Sequence, residues 1–545
     1  METSFDLTKE AWIPCVDQAG APLRLGLRAV LARAHEIRGI VHKSPFVTFA
    51  LHRLLLAILH RVFGPKNENE WADLARAGRW DVTRLEAYFD QWQDRFDLFH
   101  PTRPFYQVPI DAIDKARSVR CIIHELPQGN NTVLWDPYRN EDPVLTPGEA
   151  ACYLVAAQAY ADGGIKTGIE ANVSRTPSRA SHLSRGIAVL LEGDSLFRTL
   201  LLNMVCYDPA QETRFGSSQQ DIPTWESDRI IGGKPRRPNG YLDLLTWQPR
   251  RIRLLASERN GRVVVDRVIL AVGEELPSGQ QEIDLASIET MMPFVARSET
   301  GTGATSYRPQ KPDPTRGVWR DSLSLFYSLT PRKTPARTVE IAADRLQAGL
   351  ISPRERYRLA VFGPVWADAN YTRLIGWVDE RLPLPAIYLS ATGETKREFL
   401  GEALQHAENG AAVLFQIADT MARAIEHPGK DTSALSGAAK ARVSQRRETL
   451  LPSVTLSYWA VLGSSFPALV EEIAATDDQG AEKRLGEWAR LVRSQVLAHA
   501  EALIGRIAPV GGRNLRAIVE AERTLQRGLR RYNLAESLTH KNEQP

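Results

Sequence analysis

The sequence predicts an α+β protein, in which a mixed α/β N-terminal domain over residues 1–390 precedes a C-terminal four-helix bundle over residues 395–545. Before residue 390, short helix-like and strand-like segments alternate with Pro- and Gly-rich breaks. After residue 395, helical periodicity is almost continuous. The length of 545 residues, with 43% hydrophobic and 24% charged residues, suits a globular protein of roughly two to four domains.

Charge and cysteine content narrow the class of protein. The net charge of +3 is close to neutral for this length, so binding of nucleic acid would depend on local basic patches. The four cysteines are far apart and form no CxxC pair, which indicates a reduced, cytoplasmic protein without a structural metal. No signal peptide is recognisable, and the longest apolar runs are much shorter than the roughly 20 residues of a membrane helix. We therefore expect no membrane partner.

The first clear helix begins at Ser44-Pro45 and ends at Gly64-Pro65, because serine is a good N-cap and proline suits the first helical position. A second, aromatic helix is predicted from Val82 to Phe96. Three histidines lie in or beside the first helix, but no cysteine or carboxylate accompanies them at ligand spacing. We interpret them as packing or surface histidines: His42, His52 and His60.

Residues 124–145, HELPQGNNTVLWDPYRNEDPVL, contain so many Pro, Gly and Asn residues that regular structure is not expected. A loop this long inside a compact domain is usually functional or disordered. Its apolar pair Leu134-Trp135 either pins the loop to its own domain, or inserts into a partner or stacks on a base. The residues alone favour the first interpretation, because single exposed hydrophobic residues are common.

Residues 146–169 combine a well-capped helix with a glycine-rich exit. Thr146, Pro147 and Glu149 predict a capping box with proline at the first helical position. Asp162-Gly163-Gly164 is predicted to end the helix, because glycine tolerates the left-handed conformation of a C-terminal turn. Ile165-Lys166-Thr167-Gly168 then predicts a tight loop with few side chains and one cation. Such backbone can approach a phosphate group or a base edge closely, although most glycine pairs after a helix are only turns.

Residues 187–191 predict a buried strand followed by a short helix, and residues 262–272 alternate as a half-buried strand. Between them lies a basic stretch, residues 222–256, with cations in a Gly/Pro loop and at a strand-like segment. Such a run is most often a solvated face, but cations on a constrained loop also suit a phosphate- or groove-binding element. Its cations are Arg229, Lys234, Arg236 and Arg237 in the loop, then Arg250, Arg251 and Arg253.

Phe362-Gly363-Pro364 predicts a further turn, which leads through Asp368, Ala369 and Asn370 into another strand. Beyond it, four periodic segments predict the helices of the bundle, and breaks containing Gly or Pro separate them. Apolar residues of the first segment recur at heptad-like spacing. The four segments are Phe399 to Ile425, Leu450 to Ile473, Ala481 to Ile507, and Leu515 to Leu529.

We find no linear catalytic motif in the sequence. It contains no GxxxxGK[ST] or strand-linked GxGxxG for phosphate binding, no HExxH, no GxSxG, and no cysteine–histidine pair that suggests a nucleophile. The acidic residues are scattered, without the spaced cluster that metal nucleases use. We therefore expect a binding protein rather than an enzyme, and assign no catalytic residue, metal or cofactor.

Six segments in order along the chain resemble one known family. They are WIPC (12–15), HELPQGNNTVLWDP (124–137), DGGIKTG (162–168), RGIAVLLEGDSLFRTLLLN (185–203), PTW (223–225) and GYLDLLTWQPRRIRL (240–254). Together they resemble the CasA family, the large subunit of the type I-E CRISPR Cascade complex. The resemblance implies a non-catalytic subunit that, with a guide crRNA and the other Cascade subunits, tests double-stranded DNA for a protospacer-adjacent motif from its minor groove. It also implies help in opening the duplex and recruitment of a helicase–nuclease.

The resemblance also implies sites. The family's glycine loop falls on Gly163 and Gly164, with Lys166 following, and its basic finger falls on Arg229 or Lys234. Its wedge falls on Asp368, Ala369 and Asn370, where the family carries a glutamine and this chain has the shorter Asn370. Contact with the guide and neighbouring subunits falls on Asn130, Asn131, Leu134 and Trp135, and the resemblance favours the inserting role of Trp135.

Two other functions compete with this one. The Gly163-Gly164 segment and Lys166 would also suit an enzyme that cradles a phosphorylated ligand. A structural helical adaptor that does not contact DNA is the third possibility.

Overall fold

A computed structural model describes residues 3–127, 141–169, 175–208, 220–229, 231–232, 235–278, 283–298, 305–313, 315–328, 332–426 and 437–532. The chain divides into two compact units. The first comprises Met1–Pro314 and Ser324–Leu382, and the second comprises Thr315–Leu323 and Pro383–Pro545. The first unit mixes helices with small sheets and the second is helical, so the predicted α+β class is confirmed.

The elements are numbered here in chain order. The helices are α1 (Leu27–Ala32), α2 (Pro45–Phe63), α3 (Glu68–Ala77), α4 (Val82–Gln91), α5 (Pro147–Ala159), α6 (Leu196–Asn203), α7 (Tyr241–Leu245), α8 (Leu285–Ile288), α9 (Ser322–Phe326), α10 (Arg337–Gln347), α11 (Glu394–Glu426), α12 (Gly437–Leu450), α13 (Pro452–Ala475), α14 (Asp478–Ile504) and α15 (Gly512–Arg531). The strands are β1 (Ile13–Asp17), β2 (Pro22–Leu25), β3 (Ile37–Ile40), β4 (Arg117–Ser118), β5 (Gly164–Thr167), β6 (Arg175–Ser178), β7 (Ala188–Glu192), β8 (Arg250–Arg259), β9 (Arg262–Val272), β10 (Phe294–Ser298), β11 (Thr305–Pro309), β12 (Lys333–Thr334), β13 (Arg356–Trp366) and β14 (Leu374–Pro385).

The strands of the described residues form small sheets rather than one large one. Their strand orders are β2-β1-β3, β11-β10-β12, β14-β13-β7, β4-β9-β8 and β5-β6. Two of these sheets position the candidate site. β5 pairs antiparallel with β6 directly after α5, and the turn between β13 and β14 projects from the sheet β14-β13-β7.

Helix α2 forms the centre of the first unit. The Ser44 side chain accepts a hydrogen bond from the Val47 amide, and the helix ends at Gly64, as predicted. Most of its residues are buried, including His52 and His60, and the helix packs against α5, α7 and β13. By length and composition α2 could span a membrane, but 89% of that apolar stretch is buried inside the protein. Such burial is typical of the core helix of a folded domain. Burial also lowers the pKa of His52, in the middle of this helix, to about 4.

The bundle consists of long helices packed around α11, which contacts α12, α13, α14 and α15. The four predicted segments correspond to α11, α13, α14 and α15. Gly410 belongs to the heptad-like stripe of α11. Packing requires a glycine there, because a Cβ would lie 2.2 Å from the Tyr458 hydroxyl oxygen. That hydroxyl donates a hydrogen bond to the Ala407 carbonyl, 2.7 Å away. Helix α12 was not predicted, since its few buried residues stand in a strongly polar sequence.

A short segment from the middle of the chain completes the second unit. Within residues 315–323, the Trp319 ring packs against Phe466, with ring centroids 4.7 Å apart, and against Trp459. Arg320 pairs with both carboxylate oxygens of Glu408 at 3.0 and 2.8 Å. The sequence predicts this segment to belong to the N-terminal domain, because aromatic anchoring between distant residues has no local signature.

Two local predictions need correction. Phe362-Gly363-Pro364 is not a turn but part of β13, where Phe362 pairs with Ala188 of β7. Gly363 is required there by packing, since a Cβ would lie 3.0 Å from the Cα of Ile187. The helix predicted from Val82 to Phe96 ends at Gln91 and continues as a 3-10 turn.

Candidate nucleic-acid interface

Helix α5 has the predicted start and a different exit. Thr146 Oγ1 accepts a hydrogen bond from the Glu149 amide, and the Glu149 carboxylate accepts one from the Thr146 amide, which forms the capping box. After the helix, the chain does not form the predicted loop. Gly164–Thr167 is strand β5, in which Gly164 lies opposite Ser178 and Lys166 opposite Thr176.

The two glycines of this segment meet the turn between β13 and β14, about two hundred residues away along the chain. The Gly163 amide donates a 2.9 Å hydrogen bond to the Tyr371 carbonyl. A Cβ on Gly163 would lie 2.1 Å from the carbonyl oxygen of Asn370, so this position excludes any side chain. Gly164 has a φ of +100°, and its Cβ would lie 3.2 Å from a Thr372 methyl group. Of the two, only Gly164 adopts the left-handed conformation predicted for the helix exit.

Asp368 holds the turn together. Its carboxylate accepts hydrogen bonds from the amides of Asn370, Thr372 and Arg373 at 2.8–3.2 Å. Burial on its own would raise the pKa of Asp368, but these hydrogen bonds lower it below its ordinary value. Ala369 and Asn370, the other two predicted wedge residues, are exposed at the tip.

Lys166, the one cation of the predicted loop, does not lie at the surface. Its side chain is buried, and its ammonium group donates to Asp162 Oδ2 at 2.8 Å and to the Gly163 carbonyl at 3.1 Å. Burial lowers the pKa of Lys166, while the Asp162 carboxylate acts in the opposite direction. Lys166 therefore fastens the glycine segment from inside, and its charge is compensated.

Arg250 is a buried residue that contacts the glycine segment through the Asp162 carbonyl. It is 1% exposed, although it belongs to a basic run in the sequence and such runs are most often solvated faces. Its guanidinium group donates hydrogen bonds to Ser178 Oγ at 2.7 Å and to the carbonyl oxygen of the preceding residue, Pro249. It also donates to the carbonyl oxygens of Asp162 and Arg179. No sequence pattern distinguishes Arg250 from the half-buried arginines that follow it, Arg251 and Arg253.

The segment predicted to carry the basic finger is closed at its base by ion pairs. Arg229 lies 3.5 Å from Asp243 and 3.3 Å from Glu274, and Arg236 pairs with the same two carboxylates. Burial raises the pKa of Glu274, and the two arginines oppose that effect. Arg229 is thus partly occupied in the protein. Lys234, the other candidate, lies outside the described residues.

The predicted guide-contact residues Asn130, Asn131, Leu134 and Trp135 also lie outside the described residues. Both flanks of their segment are anchored in the first unit. A ring nitrogen of His124 is 2.8 Å from the Tyr160 carbonyl at the end of α5, and Leu145 bridges to Val265 of β9. Among the residues that the structure describes, no group of three or more His, Cys, Asp or Glu side chains is arranged to hold a metal ion.

Comparison with known proteins gives consistent matches over most of the chain. The sequence model of the family described as CRISPR-associated protein Cse1 matches residues 6–499. CRISPR-associated protein CasA/Cse1 of Thermus thermophilus is 29% identical over 542 residues, covering 96% of this chain and 97% of that protein.

Solved structures give the same result. The crystal structure of Cse1 from Acidimicrobium ferrooxidans is 26% identical with a TM-score of 0.79, covering 98% of this chain and 99% of that one. A chain of a CRISPR RNA-guided surveillance complex shares the fold with a TM-score of 0.73 at 20% identity, covering 96% of this chain and 99% of that one. The resemblance to CasA found in the sequence is therefore confirmed, and the chain belongs to the Cse1 family of CRISPR-associated proteins.

Proposed function

We propose that this chain is the large, non-catalytic subunit of an RNA-guided CRISPR surveillance complex of the Cascade type. In that complex it recognises the protospacer-adjacent motif in double-stranded DNA from the minor groove, helps to open the duplex and recruits a helicase–nuclease. The family membership supports the assignment to the complex. The DNA-probing role is supported by the geometry of the glycine segment.

The contact between Gly163 and the turn at 368–371 carries this proposal. The resemblance assigned the glycine loop and the wedge separately, and the two assignments fall on segments that touch through the Gly163 amide and the Tyr371 carbonyl. Ala369 and Asn370 are exposed at the tip of the turn, and their small side chains leave room for a duplex to approach. A small amide side chain also suits the minor groove, where every base pair offers acceptors and several motif sequences are hard to distinguish.

The charged residues of this site have supporting roles in the proposal. Lys166, Asp162 and Arg250 hold the glycine segment, and Asp368 holds the turn, because each of them makes hydrogen bonds within the protein. We assign the basic finger to Lys234 rather than Arg229, since Arg229 is engaged with Asp243 and Glu274. Asn130, Asn131, Leu134 and Trp135 contact the guide crRNA and neighbouring Cascade subunits in this proposal.

The competing phosphate-binding enzyme fits the geometry less well. A phosphate cradle needs free amide groups and an available cation. Here the Gly163 amide is bonded to Tyr371, and the Lys166 ammonium is paired with Asp162 in a buried position.

The test places a negative charge on the exposed turn without altering its packing. Ala369→Asp is compared with Ala19→Asp, which adds the same charge to an exposed alanine between β1 and β2. Both variants are assembled with guide crRNA and the other subunits. We expect Ala369→Asp to lose capture of duplex target by at least about ten-fold through repulsion from phosphate groups, while it retains binding of the single-stranded complement.

Normal duplex capture by the assembled Ala369→Asp complex would remove this turn from the DNA-probing site. Equal loss in the Ala19→Asp complex would indicate a general effect of charge. Failure of both wild-type and variant chains to assemble with guide crRNA would contradict the proposed membership of the complex.

A further inference from the structure

A cavity of about 370 Å³ lies in the first unit beside the base of the basic segment. Small-ligand sites in proteins typically measure about 300–1,000 Å³, so the cavity is large enough for one small molecule. No part of it belongs to the contact between the glycine segment and the turn. Its principal lining residues are Tyr106, Trp225, Ile231 and Gln248 inside, with Arg103 and Asp228 towards the rim.

Gln248 is the unusual residue of this cavity. Its side chain is 2% exposed, and neither amide atom has a hydrogen-bond partner among the described residues. Buried amides are nearly always paired, because an unpaired buried donor and acceptor are unfavourable. Gln107, which lines the same cavity, illustrates the rule: its Nε2 donates to the Leu98 carbonyl at 2.8 Å, and its Oε1 accepts from the Leu254 amide at 2.7 Å. The NH2 group and the carbonyl oxygen of the Gln248 amide are therefore both without a partner among the described residues.

The apolar walls are flat and firmly held. Trp225 packs with Phe105 and Tyr106 at ring-centroid distances of 5.6 and 6.2 Å, and its indole nitrogen donates to the Tyr88 hydroxyl at 2.8 Å. Tyr106 itself has a φ of +56°, a conformation that non-glycine residues seldom adopt. A planar ring is the shape that suits aromatic walls beside a free amide.

Arg103, at the rim of the cavity, is a cation without a close ion-pair partner among the described residues. Arg103 is about half exposed, and its nearest carboxylate partners are distant, with Asp228 at 3.7 Å and Asp94 at 3.9 Å. Asp228 is itself engaged by Arg95 at 2.7 Å. A guanidinium held this loosely retains donors that match the oxygens of a phosphate group.

From these observations we infer that the cavity binds a single nucleotide unit, with its base against the Gln248 amide and its phosphate at Arg103. A glutamine amide can pair with a base edge through one donor and one acceptor. The unit can come from a free nucleoside monophosphate or from an unpaired end of a DNA strand, since both present the same base and phosphate. This inference concerns the isolated chain and does not depend on the proposed function.

The test titrates the full-length chain with each of the four deoxynucleoside monophosphates by calorimetry. Gln248→Leu should weaken binding of the preferred monophosphate by about ten-fold or more, the value of a good amide–base pair. Arg103→Met should weaken it through loss of the phosphate contact. The matched control is Arg262→Met, at an exposed arginine of the β8–β9 hairpin, and it should bind as the wild type does.

The same variants distinguish a ligand site from a structural amide. If nothing in the protein uses the Gln248 amide, Gln248→Leu should melt at the wild-type temperature or above it. A clearly lower melting temperature would mean that ordered water already satisfies the amide, and the inference would be wrong. No binding of any monophosphate by the wild type, or undiminished binding by Gln248→Leu, would also overturn it.

A 5′-phosphorylated trinucleotide separates the two sources. Competition between the trinucleotide and the monophosphate would mean that the cavity accepts the end of a strand. Binding of the monophosphate alone, still lost in Gln248→Leu, would identify a site for free nucleotide. Either result supports the site.

Discussion

Two parts of the first unit, which we propose to meet the same DNA, are held in place by different forces. The glycine segment touches the turn at 368–371 through backbone, with a buried Lys166 and Arg250 behind it. The basic segment from Arg229 to Arg236 is held at its base by ion pairs to Asp243 and Glu274. The first arrangement is fixed by shape and allows no added atom. The second depends on charge pairs, so its contribution to the free energy of unfolding should vary with salt concentration.

This difference predicts that substitutions behind the glycine segment lower the free energy of unfolding more than substitutions in the basic segment. Arg250→Met leaves the Ser178 hydroxyl and the Asp162 and Arg179 carbonyls without their buried donor. We expect the free energy of unfolding to fall by about 3–5 kcal/mol, as when one partner of a buried charged group is removed. Urea denaturation measures it, with the exposed Arg262→Met as control. Equal stability of the two variants would mean that Arg250 does not support the segment.

The contact between Gly163 and the turn gives the next largest effect. Gly163→Ala places a Cβ 2.1 Å from the Asn370 carbonyl oxygen, and a backbone atom cannot move aside easily. The expected loss of stability is about 2–3 kcal/mol, near the upper end for overpacking.

Its control lies on the neighbouring strand. Gly376→Ala meets no atom within 4 Å and needs no positive φ, so it should be almost neutral. Denaturation curves of the two alanine variants that coincide would contradict the steric role of Gly163.

Substitution of an arginine in the ion pairs with Asp243 and Glu274 should lower the free energy of unfolding less, and the loss should depend on salt concentration. Arg236→Met removes one of two arginines that neutralise Asp243 and Glu274, while Arg229 stays in place. We expect a loss of about 1 kcal/mol at low salt, smaller at high salt, where the charge pairs of the wild type are screened. Arg237→Met, at the exposed neighbouring arginine, serves as the control. A loss that does not change with salt would argue that Arg236 acts through its packing on Trp247.

The features that could be predicted from the sequence are those that depend on residues close together in the chain. The capping box of α5, the helix α2 and the four long bundle helices depend on residues close in sequence, and all were predicted. The burial of Arg250 and the contact of Gly163 with Tyr371 join distant residues, and no local pattern indicates them. Lys166 pairs with Asp162 only four positions away, but the segment was predicted to be a loop and this pair was not predicted. Gly363-Pro364 was read as a turn from its composition, but pairing of β13 with β7 overrides that local preference. Tyr371, whose carbonyl accepts the hydrogen bond of the Gly163 amide, carried no signal in the sequence.

Asn370 gives the smallest expected effect on stability and the sharpest test of the turn. Its side chain is exposed at the tip, so Asn370→Gln and Asn370→Ala should leave the free energy of unfolding unchanged within about 0.5 kcal/mol. Gln restores the longer amide that the family resemblance led us to expect, and Ala removes the amide altogether. If the amide enters the minor groove, the assembled complex should open duplex target faster with Gln and more slowly with Ala. Stopped-flow measurement of duplex opening distinguishes the three proteins. Identical rates would mean that Asn370 is only a turn residue, and that any wedge lies elsewhere on this edge.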